Sequence, residues 1–365
     1  MQRLATGLSL LVLSLGASAQ ESALRVEGGL TAVHQAEVTG PLQDTEASGD
    51  LFVYLPTTKG EWLLYIEAAS SIAPDSLFNL YPEINADAGT ALDSQNDSRV
   101  QISELNFRWD LWQGQHLTLG EIDPSAHLDR SRIANDENAH FLGASFVNNP
   151  TIEFPDYALG AMYRRDRTAE APEITAIIAS SDGLADNPGR SYNELVDITG
   201  HGKGVFTGLG ARWALGDARV GVGGWYRSDD HAVLDNLDAN QPNYGVYALY
   251  GWQAGSNGVS LRAGAANSAI SPAAYFLGAA YEGVTRIGAV GLGVGKIYES
   301  PTLGTPDTGN TLQAETFLRV PLVGEISHLT FSLQYVENPG FDASDRVVDS
   351  RALIAAIRLH FWLTN

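Results

Sequence analysis

The sequence predicts an all-β protein of one kind, a transmembrane outer-membrane β-barrel of about 16 antiparallel strands with an inward-folded constriction loop. Three observations predict this fold. Apolar and polar residues alternate with the period of two that strands impose. About sixteen such segments follow one another along the chain. Short connectors between them alternate with connectors that are mostly long. An export signal begins the chain, and no later run of about 20 apolar residues could form a transmembrane helix.

Residues 1–19 have the three parts of a cleaved signal peptide. Arg3 supplies the positive start, Leu8–Leu15 an apolar core too short to span a bilayer, and Ala17–Ala19 a small-residue cleavage site. The alternative is a buried first helix. We expect export, with residues 20–365 forming a single β-barrel domain.

Composition excludes several classes of function. The chain has 365 residues, no cysteine, and 43 acidic against 22 basic residues, for a formal charge of −21. A chain this acidic has no attraction for nucleic acid. The absence of cysteine removes disulfides, thiolate metal sites and a cysteine nucleophile. We expect no cofactor and no metal.

Alternation is clearest between residues 103 and 111. Leu105, Phe107 and Trp109 share one face of this segment, whereas Glu104 and Arg108 lie on the other. A soluble β-sandwich alternates in the same way, so the number and spacing of strands decide between the two. The sixteen segments lie near 22–38, 49–56, 60–69, 99–111, 115–122, 157–166, 173–180, 204–215, 218–228, 244–253, 257–267, 273–282, 287–297, 312–320, 327–336 and 351–363.

The connectors between these segments suggest an orientation. Outer-membrane barrels have short periplasmic turns and long outside loops. The long connectors here lie near 70–98, 123–156, 181–203, 229–243, 298–311 and 337–350. With this assignment both chain ends are periplasmic.

Tryptophans agree with that orientation. Six of them fall at the periplasmic strand ends, where a lipid-interface girdle uses amphipathic rings: Trp62, Trp109, Trp112, Trp213, Trp252 and Trp362. A soluble core is the alternative for these six, but it would not sort them by strand end. Trp225 shares the parity of Arg219 and Arg227, so we expect it to face the lumen near the outer mouth.

Arginines fall at the polar positions of their strands. On the lipid face an arginine would cost about 2–4 kcal/mol at mid-depth, so these side chains should line the interior. The set comprises Arg108, Arg164, Arg212, Arg219, Arg227, Arg262, Arg319 and Arg358, with Glu104, Glu282 and Glu315 at the same parity.

Most of the excess acid falls in the connectors, for example Asp75, Glu83, Asp87, Asp93 and Asp97 in the first long one. We interpret these residues as a solvated acidic surface, because no calcium-ligand spacing occurs. The alternative is that they bind divalent cations shared with lipopolysaccharide.

The 123–156 connector is too apolar for an exposed tip. Leu128, Ile133, Phe141, Phe146 and Val147 all need something to pack on. A sixteen-stranded barrel leaves an aqueous channel, and a connector folded into it would bury these residues and narrow the pore. A cap on the outside is the alternative.

Two stretches resemble a known family, the carbohydrate-selective porins of the OprB type. The first runs from Leu119-Gly120-Glu121-Ile122-Asp123 through Asn135-Asp136-Glu137 and Phe141-Leu142 to Phe146-Val147-Asn148-Asn149-Pro150. The second is Leu333-Gln334-Tyr335-Val336-Glu337-Asn338-Pro339-Gly340, preceded by Glu315 and followed by Arg358. The resemblance implies a sixteen-stranded porin that passes sugars by diffusion, with arginines and acidic residues around a constriction.

The predicted lumen suits sugars on chemical grounds too, because arginine forks and carboxylates bind hydroxyls and an aromatic face stacks on a sugar ring. Binding must stay weak for conduction. The candidate solute contacts are Glu104, Arg108, Arg164, Arg212, Trp225, Arg227, Arg262, Glu315, Arg319 and Arg358 on strands, with Asp123, Asn135, Glu137 and Phe141 on the constriction loop. For each arginine, an ion pair that braces the barrel wall is the alternative.

Other functions stay open. The channel could be a general porin or one that favours anions such as sugar acids, and it could be a monomer or a homotrimer. An outer-membrane enzyme is a further alternative, but the eight histidines show no H-E-x-x-H pair and no G-x-S-x-G elbow occurs. We therefore expect no enzyme, with small sugars and outer-membrane lipid and lipopolysaccharide as partners.

Overall fold

The computed structural model describes residues 23–73, 76–187, 189–200, 202–303, 309–324, 326–339 and 351–364. Sixteen antiparallel strands form a closed barrel in which each strand pairs with its chain neighbours and β1 pairs with β16. The strands are β1 (Arg25–Glu37), β2 (Gln43–Thr57), β3 (Gly60–Ala69), β4 (Val100–Asp110), β5 (Gln115–Ile122), β6 (Ala158–Arg165), β7 (Glu173–Ser180), β8 (Val205–Leu215), β9 (Ala218–Val233), β10 (Asn236–Ala254), β11 (Asn257–Ala266), β12 (Ala273–Val284), β13 (Ala289–Glu299), β14 (Thr311–Val323), β15 (Ser327–Glu337) and β16 (Arg351–Thr364). The predicted fold class is confirmed.

The barrel is apolar outside and polar inside. Leu30, Leu209, Val246, Leu277 and Leu292 point outward, each more than half exposed. The most deeply buried polar side chains point inward, among them Gln35, Gln101, Ser103, Gln313 and Gln334. Where every strand pairs on both sides, closure leaves no sheet edge, so those strand backbones are satisfied without water, as a lipid environment requires.

The height of the wall varies around the barrel. Strands β5, β6 and β7 have 8 residues each, whereas β10 has 19. The prediction of a long connector at 229–243 is wrong, because β9 and β10 continue as a hairpin to Val233 and Asn236, with irregular register on the way. Polar residues there suggested a loop, but strands that extend beyond the lipid need only backbone pairing and no apolar face.

Aromatic side chains form bands at both ends of the outer face. Trp62, Trp112, Trp213 and Trp252 are exposed at the end that carries the short turns, hereafter the short-turn end. Trp109 also faces outward there, since it follows inward Arg108 on β4. At the opposite end the exposed rings are Tyr226, Tyr244 and Tyr275.

One tryptophan departs from the predicted girdle. Trp362 pairs with Gly29 and shares the face of buried His360, so it points into the barrel. A position at a strand end does not set which side a ring faces, whereas parity does: Arg358, His360 and Trp362 alternate with outward residues.

Helices are short and lie in the long connectors. They are α1 (Leu77–Leu80), α2 (Ala144–Val147) and two 3-10 turns at Pro82–Ile84 and Tyr192–Val196. In the part of the chain that the structure describes, no helix has the length and apolar content to cross a membrane.

Candidate functional site

The 123–156 connector folds into the barrel. Its Leu128 packs in a cluster with Phe206, Trp225 and Tyr247, which belong to β8, β9 and β10. Phe141 lies 5.0 Å from Phe317 of β14, centroid to centroid.

Leu142 of the same connector packs against Val33 and Ala356 of β1 and β16. Only a segment inside the barrel can reach all these strands. The predicted inward fold is therefore confirmed, with Phe141 as a fully buried anchor.

Charged side chains of the wall hold this connector by its backbone. Glu315 accepts hydrogen bonds from the N–H groups of Leu142 at 3.1 Å and Gly143 at 2.9 Å. Arg358 donates to the carbonyl oxygens of Glu137 and His140, the latter at 2.8 Å.

Arg262 does the same further along, donating to the carbonyl oxygens of Phe146 at 2.9 Å and Val147 at 3.2 Å. Arg262, Glu315 and Arg358 are each no more than 5% exposed. Their polar atoms face the connector rather than open lumen, so we do not retain them as solute contacts.

Two further arginines brace the wall through ion pairs. Arg227 lies 2.9 Å from Glu153 of the connector and 2.8 Å from Asp229. Burial alone would raise the pKa of Glu153, but the hydrogen bond with His231 and the charge of Arg227 lower it overall.

The second is Arg319, whose Nη2 lies 3.3 Å from Glu282. His140 of the connector contacts the same carboxylate at 2.6 Å. Both arginines therefore brace the wall through ion pairs, and the side chain of Arg319 stays 20% exposed.

The start of the connector is tied to β4. Glu104 accepts from Asn106 at 3.1 Å and lies 3.4 Å from the backbone N of Asp123. Asp123 in turn accepts from the backbone N of Ser125 at 2.8 Å, and burial raises the pKa of Asp123.

Asn135 closes the connector on itself. It has a left-handed φ of 67°, which asparagine tolerates better than most residues. Its side chain accepts from the N–H of Ser131 and donates to the carbonyl of Val147. Asn135 is thus a structural residue of the constriction.

The 70–99 connector also folds inward, which the sequence analysis missed. Leu77, Phe78, Tyr81 and Ile84 pack against β15 and β16 through a cluster that includes Ile354. The expectation of a solvated acidic surface is wrong for Glu83 and Asp87, which are 9% and 5% exposed. Asp75 lies outside the described residues.

The two inward connectors touch each other. The N–H of Ala86 donates to the carbonyl of Leu142 at 2.8 Å. Gln35 and Gln334 of the wall both donate to the carbonyl of Ile84, at 3.2 and 2.8 Å. Together the connectors occupy the lumen beside β14, β15, β16 and β1.

Open lumen remains at the short-turn end. Arg108 is 37% exposed, beside Glu61 at 3.6 Å and Asp110 at 3.4 Å. Arg164 and Arg212 keep partly exposed guanidinium groups, paired with Asp166 and Glu173.

Trp225 is inward as predicted but only 4% exposed, packed under Leu128. Its Nε1 has no hydrogen-bond partner among the described residues. Sequence parity could place this ring inside but could not show that the connector covers it.

An aromatic surface lines the other side of the open lumen. Phe52 and Tyr65 stack with ring centroids 4.1 Å apart, and Trp362 lies 5.9 Å from Phe52. Tyr54 follows on the same face of β2, with the Arg25 guanidinium 3.9 Å from its ring. All of these rings are half-buried. Parity along β2 and β3 was the signal that could have found them.

In the described part of the chain, no group of His, Asp and Glu side chains is arranged to hold a metal ion. No protein-family model matches the sequence, and no curated protein matches it. Solved structures do match. OprB of Pseudomonas putida, in a high-pH structure, superposes with a TM-score of 0.71 at 12% identity, over 93% of this chain and 94% of that one.

Two other outer-membrane proteins match at lower scores. A loop-deletion mutant of OmpT, an outer membrane protein of Vibrio cholerae, has a TM-score of 0.56 at 10% identity, over 93% of this chain and 99% of its own. OmpF of Salmonella typhi, in complex with daunomycin, has a TM-score of 0.55 at 8% identity, over 93% and 97%. This chain therefore has the fold of the outer-membrane porins.

Proposed function

We propose that the protein is an outer-membrane porin whose barrel forms a diffusion channel for carbohydrates. The observation that carries the proposal is the aromatic surface of Phe52, Tyr54, Tyr65 and Trp362, which faces open lumen next to charged side chains. The fold shared with porins and the resemblance to carbohydrate-selective porins both support it.

A sugar offers two kinds of surface to such a lumen. The C–H face of a pyranose packs on aromatic rings, and its hydroxyl rim exchanges hydrogen bonds with charged groups. Arg108 and Glu61 lie on the strands next to the aromatic surface and offer a donor and an acceptor 3.6 Å apart. Half-exposed groups of this kind bind weakly, which suits a solute that must leave again.

Of the predicted contacts, Arg108, Arg164, Arg212 and Arg319 keep this proposed role, because the side chain of each is partly exposed. Glu104 and Arg227 shape the wall, and the inward connectors limit the cross-section. We place the short-turn end in the periplasm, following the rule for outer-membrane barrels. The signal peptide proposed at 1–19 lies outside the described residues. One barrel encloses the whole lumen, so a monomer and a homotrimer are both compatible with this function.

Liposome swelling with purified protein tests the proposal. Galactose should enter faster than amino acids of similar mass. The double variant Phe52→Ala/Trp362→Ala should slow sugars more than amino acids, whereas Trp62→Ala, which alters an outward ring on the same part of the wall, should not.

Equal entry of all solutes would leave a general porin and overturn the carbohydrate assignment. No entry of any solute would overturn the channel itself. Folding of each variant is checked by the heat-dependent migration of the barrel on a gel.

A further inference from the structure

A cavity of about 360 Å³ opens at the short-turn end, between residues 130–133 of the 123–156 connector and the ends of β8 to β11. Five arginines line it against two carboxylates, Glu173 and Asp217. The arginines are Arg130, Arg132, Arg167, Arg212 and Arg219. We call this space the arginine cavity.

The charges of the arginine cavity are not balanced by protein groups. Glu173 Oε1 contacts both Arg212 and Arg130, the latter at 3.3 Å, so one carboxylate serves two guanidinium groups. Arg132 and Arg219 are exposed, and neither has an ion-pair partner among the described residues. Five positive and two negative side chains leave an excess of three positive charges in a chain of charge −21.

The guanidinium groups of the arginine cavity repel one another. Burial and then the charge of Arg212 lower the pKa of Arg130 to about 10, and Glu173 only partly opposes this. Arg130 remains protonated at neutral pH, so the repulsion persists. A bound anion would relieve it, and a carboxylate fits a guanidinium with two parallel hydrogen bonds.

The walls also suit a polyhydroxylated molecule. Ser131 and Ser260 line the arginine cavity with their hydroxyl oxygens 2.8 Å apart. The volume lies in the range of small-molecule sites, roughly 300–1,000 Å³. A sugar acid combines a carboxylate for the arginines with hydroxyls for the serines.

We propose that the arginine cavity binds small organic anions of sugar-acid type at the short-turn end of the lumen. The inference rests on the proposed channel for its access route but concerns a surface on the wall opposite the aromatic side chains, which shares Arg212 with the proposed sugar contacts. Arg132 and Arg219, which have no carboxylate partner, are its main anion contacts, and Arg130 and Arg212 complete the positive wall.

Ligand-observed NMR on the full protein in detergent tests the site without needing transport. The probes are galacturonate, galactose and inorganic phosphate. Galacturonate should bind at least about tenfold more tightly than galactose, and its binding should weaken with added salt. The double variant Arg132→Ala/Arg219→Ala should lose about tenfold or more in affinity for galacturonate.

Two further variants make the result specific. Arg132→Lys/Arg219→Lys keeps the positive charges but loses the planar guanidinium groups that bind a carboxylate with two hydrogen bonds. It should therefore retain part of the affinity for galacturonate. Arg351→Ala removes one positive charge from an exposed pair with Glu337 at the opposite end of the barrel and should bind like the unaltered protein.

Equal binding of galacturonate and galactose would overturn the proposal, as would unchanged galacturonate affinity in the double alanine variant. Binding of phosphate in clear preference to galacturonate would overturn the carboxylate assignment. Liposome swelling separates the two hypotheses. Galacturonate binding without any solute entry would overturn the proposed channel and support the arginine cavity as a binding site. Sugar entry without galacturonate binding would support the channel and overturn the binding site.

Discussion

Glu315 Oε2 lies 2.9 Å from the backbone N of Gly143, and through this hydrogen bond a buried carboxylate of the wall holds the constriction in place. Its other oxygen accepts from the N–H of Leu142 at 3.1 Å. A buried carboxylate is stable only when such donors replace its water. The position of the constriction therefore depends on a side chain 172 residues away in sequence.

Replacing Glu315 by alanine should loosen this attachment. Two buried N–H groups lose their acceptor and Arg358 loses a nearby negative charge, so we expect a loss of about 3–5 kcal/mol in the free energy of unfolding. Single-channel conductance should rise because the connector leaves the lumen. Urea unfolding and planar-bilayer recordings measure the two effects.

Glu337→Ala is the matched control, since its carboxylate pairs with exposed Arg351 on the neighbouring strand. An exposed pair of this kind contributes about 0–1 kcal/mol. If Glu315→Ala left both conductance and stability at the level of this control, the proposed role of Glu315 would be wrong.

The barrel was predictable from sequence because strand parity is a local property. The alternation of Leu105 and Phe107 with Glu104 and Arg108 is fixed by the pleat, whatever the strand packs against. The inward direction of Glu315 and Arg358 follows from the same rule. Their partners were not predictable. The backbone N–H of Gly143 and the carbonyl of His140 are groups that every such residue carries, so the sequence does not single them out.

The 70–99 connector shows where a usable signal was missed. Leu77, Phe78, Tyr81 and Ile84 have the same apolar content that predicted the inward fold of the 123–156 connector. The acidic residues around them predicted solvent exposure instead. Burial of Asp87 arises from tertiary contacts such as the hydrogen bond with Ser48 at 2.5 Å, which no spacing rule anticipates.

Gly264→Ala should displace the 123–156 connector from β11. A Cβ at this position would lie 1.9 Å from the Thr151 hydroxyl and 2.7 Å from Asn149, so the segment around Thr151 must move off the wall. We expect a loss of about 1–3 kcal/mol in stability, as for other overpacked sites. Protease cleavage within 145–156 should become faster.

Gly251→Ala provides the comparison, because its added Cβ would have its nearest neighbour, the Val259 carbonyl oxygen, at 4.0 Å. Both substitutions place alanine in a strand, so backbone propensity cancels between them. Equal cleavage rates in the two variants would contradict the close contact between Gly264 and the connector.

Stability should fall as pH rises from about 4 to about 7. Burial raises the pKa of Asp87 to about 7, with the charges of Asp50 and Glu67 adding to it while the Ser48 hydrogen bond and Arg358 oppose it. Between the unfolded pKa of about 3.9 and this value, the folded state holds the extra proton. Stability therefore decreases through this window and is lowest above pH 7.

Burial also raises the pKa of Asp129 to about 6, which acts in the same direction. Asp87→Asn should accordingly reduce the pH dependence of the urea midpoint between pH 5 and pH 8 without abolishing it. Asp97→Asn, at an exposed position of the same connector, should leave it unchanged. A urea midpoint that rises with pH in the unaltered protein would contradict the assignment.

The hydroxyl of Tyr192 closes a gap in the wall. Strand β5 pairs with β4 only as far as Leu105, so the end of β4 beyond it has no strand on that side. The Tyr192 hydroxyl accepts from the backbone N–H of Ile102 at 2.8 Å and donates to its carbonyl oxygen at 3.0 Å. One side chain thus satisfies both free backbone groups of this residue, as a paired strand would.

Tyr192→Phe should open this edge locally. Because the site is exposed, water replaces the lost hydroxyl and the global free energy of unfolding should fall by only about 1 kcal/mol. Amide hydrogen exchange in a peptide covering residues 100–104 should accelerate about tenfold, because amides at an edge that opens locally exchange without global unfolding. Tyr244→Phe removes an exposed outward hydroxyl at the same end of the barrel and should leave that peptide unchanged. Unaltered exchange in Tyr192→Phe would mean that packing of the 181–203 connector, rather than this hydroxyl, protects the end of β4.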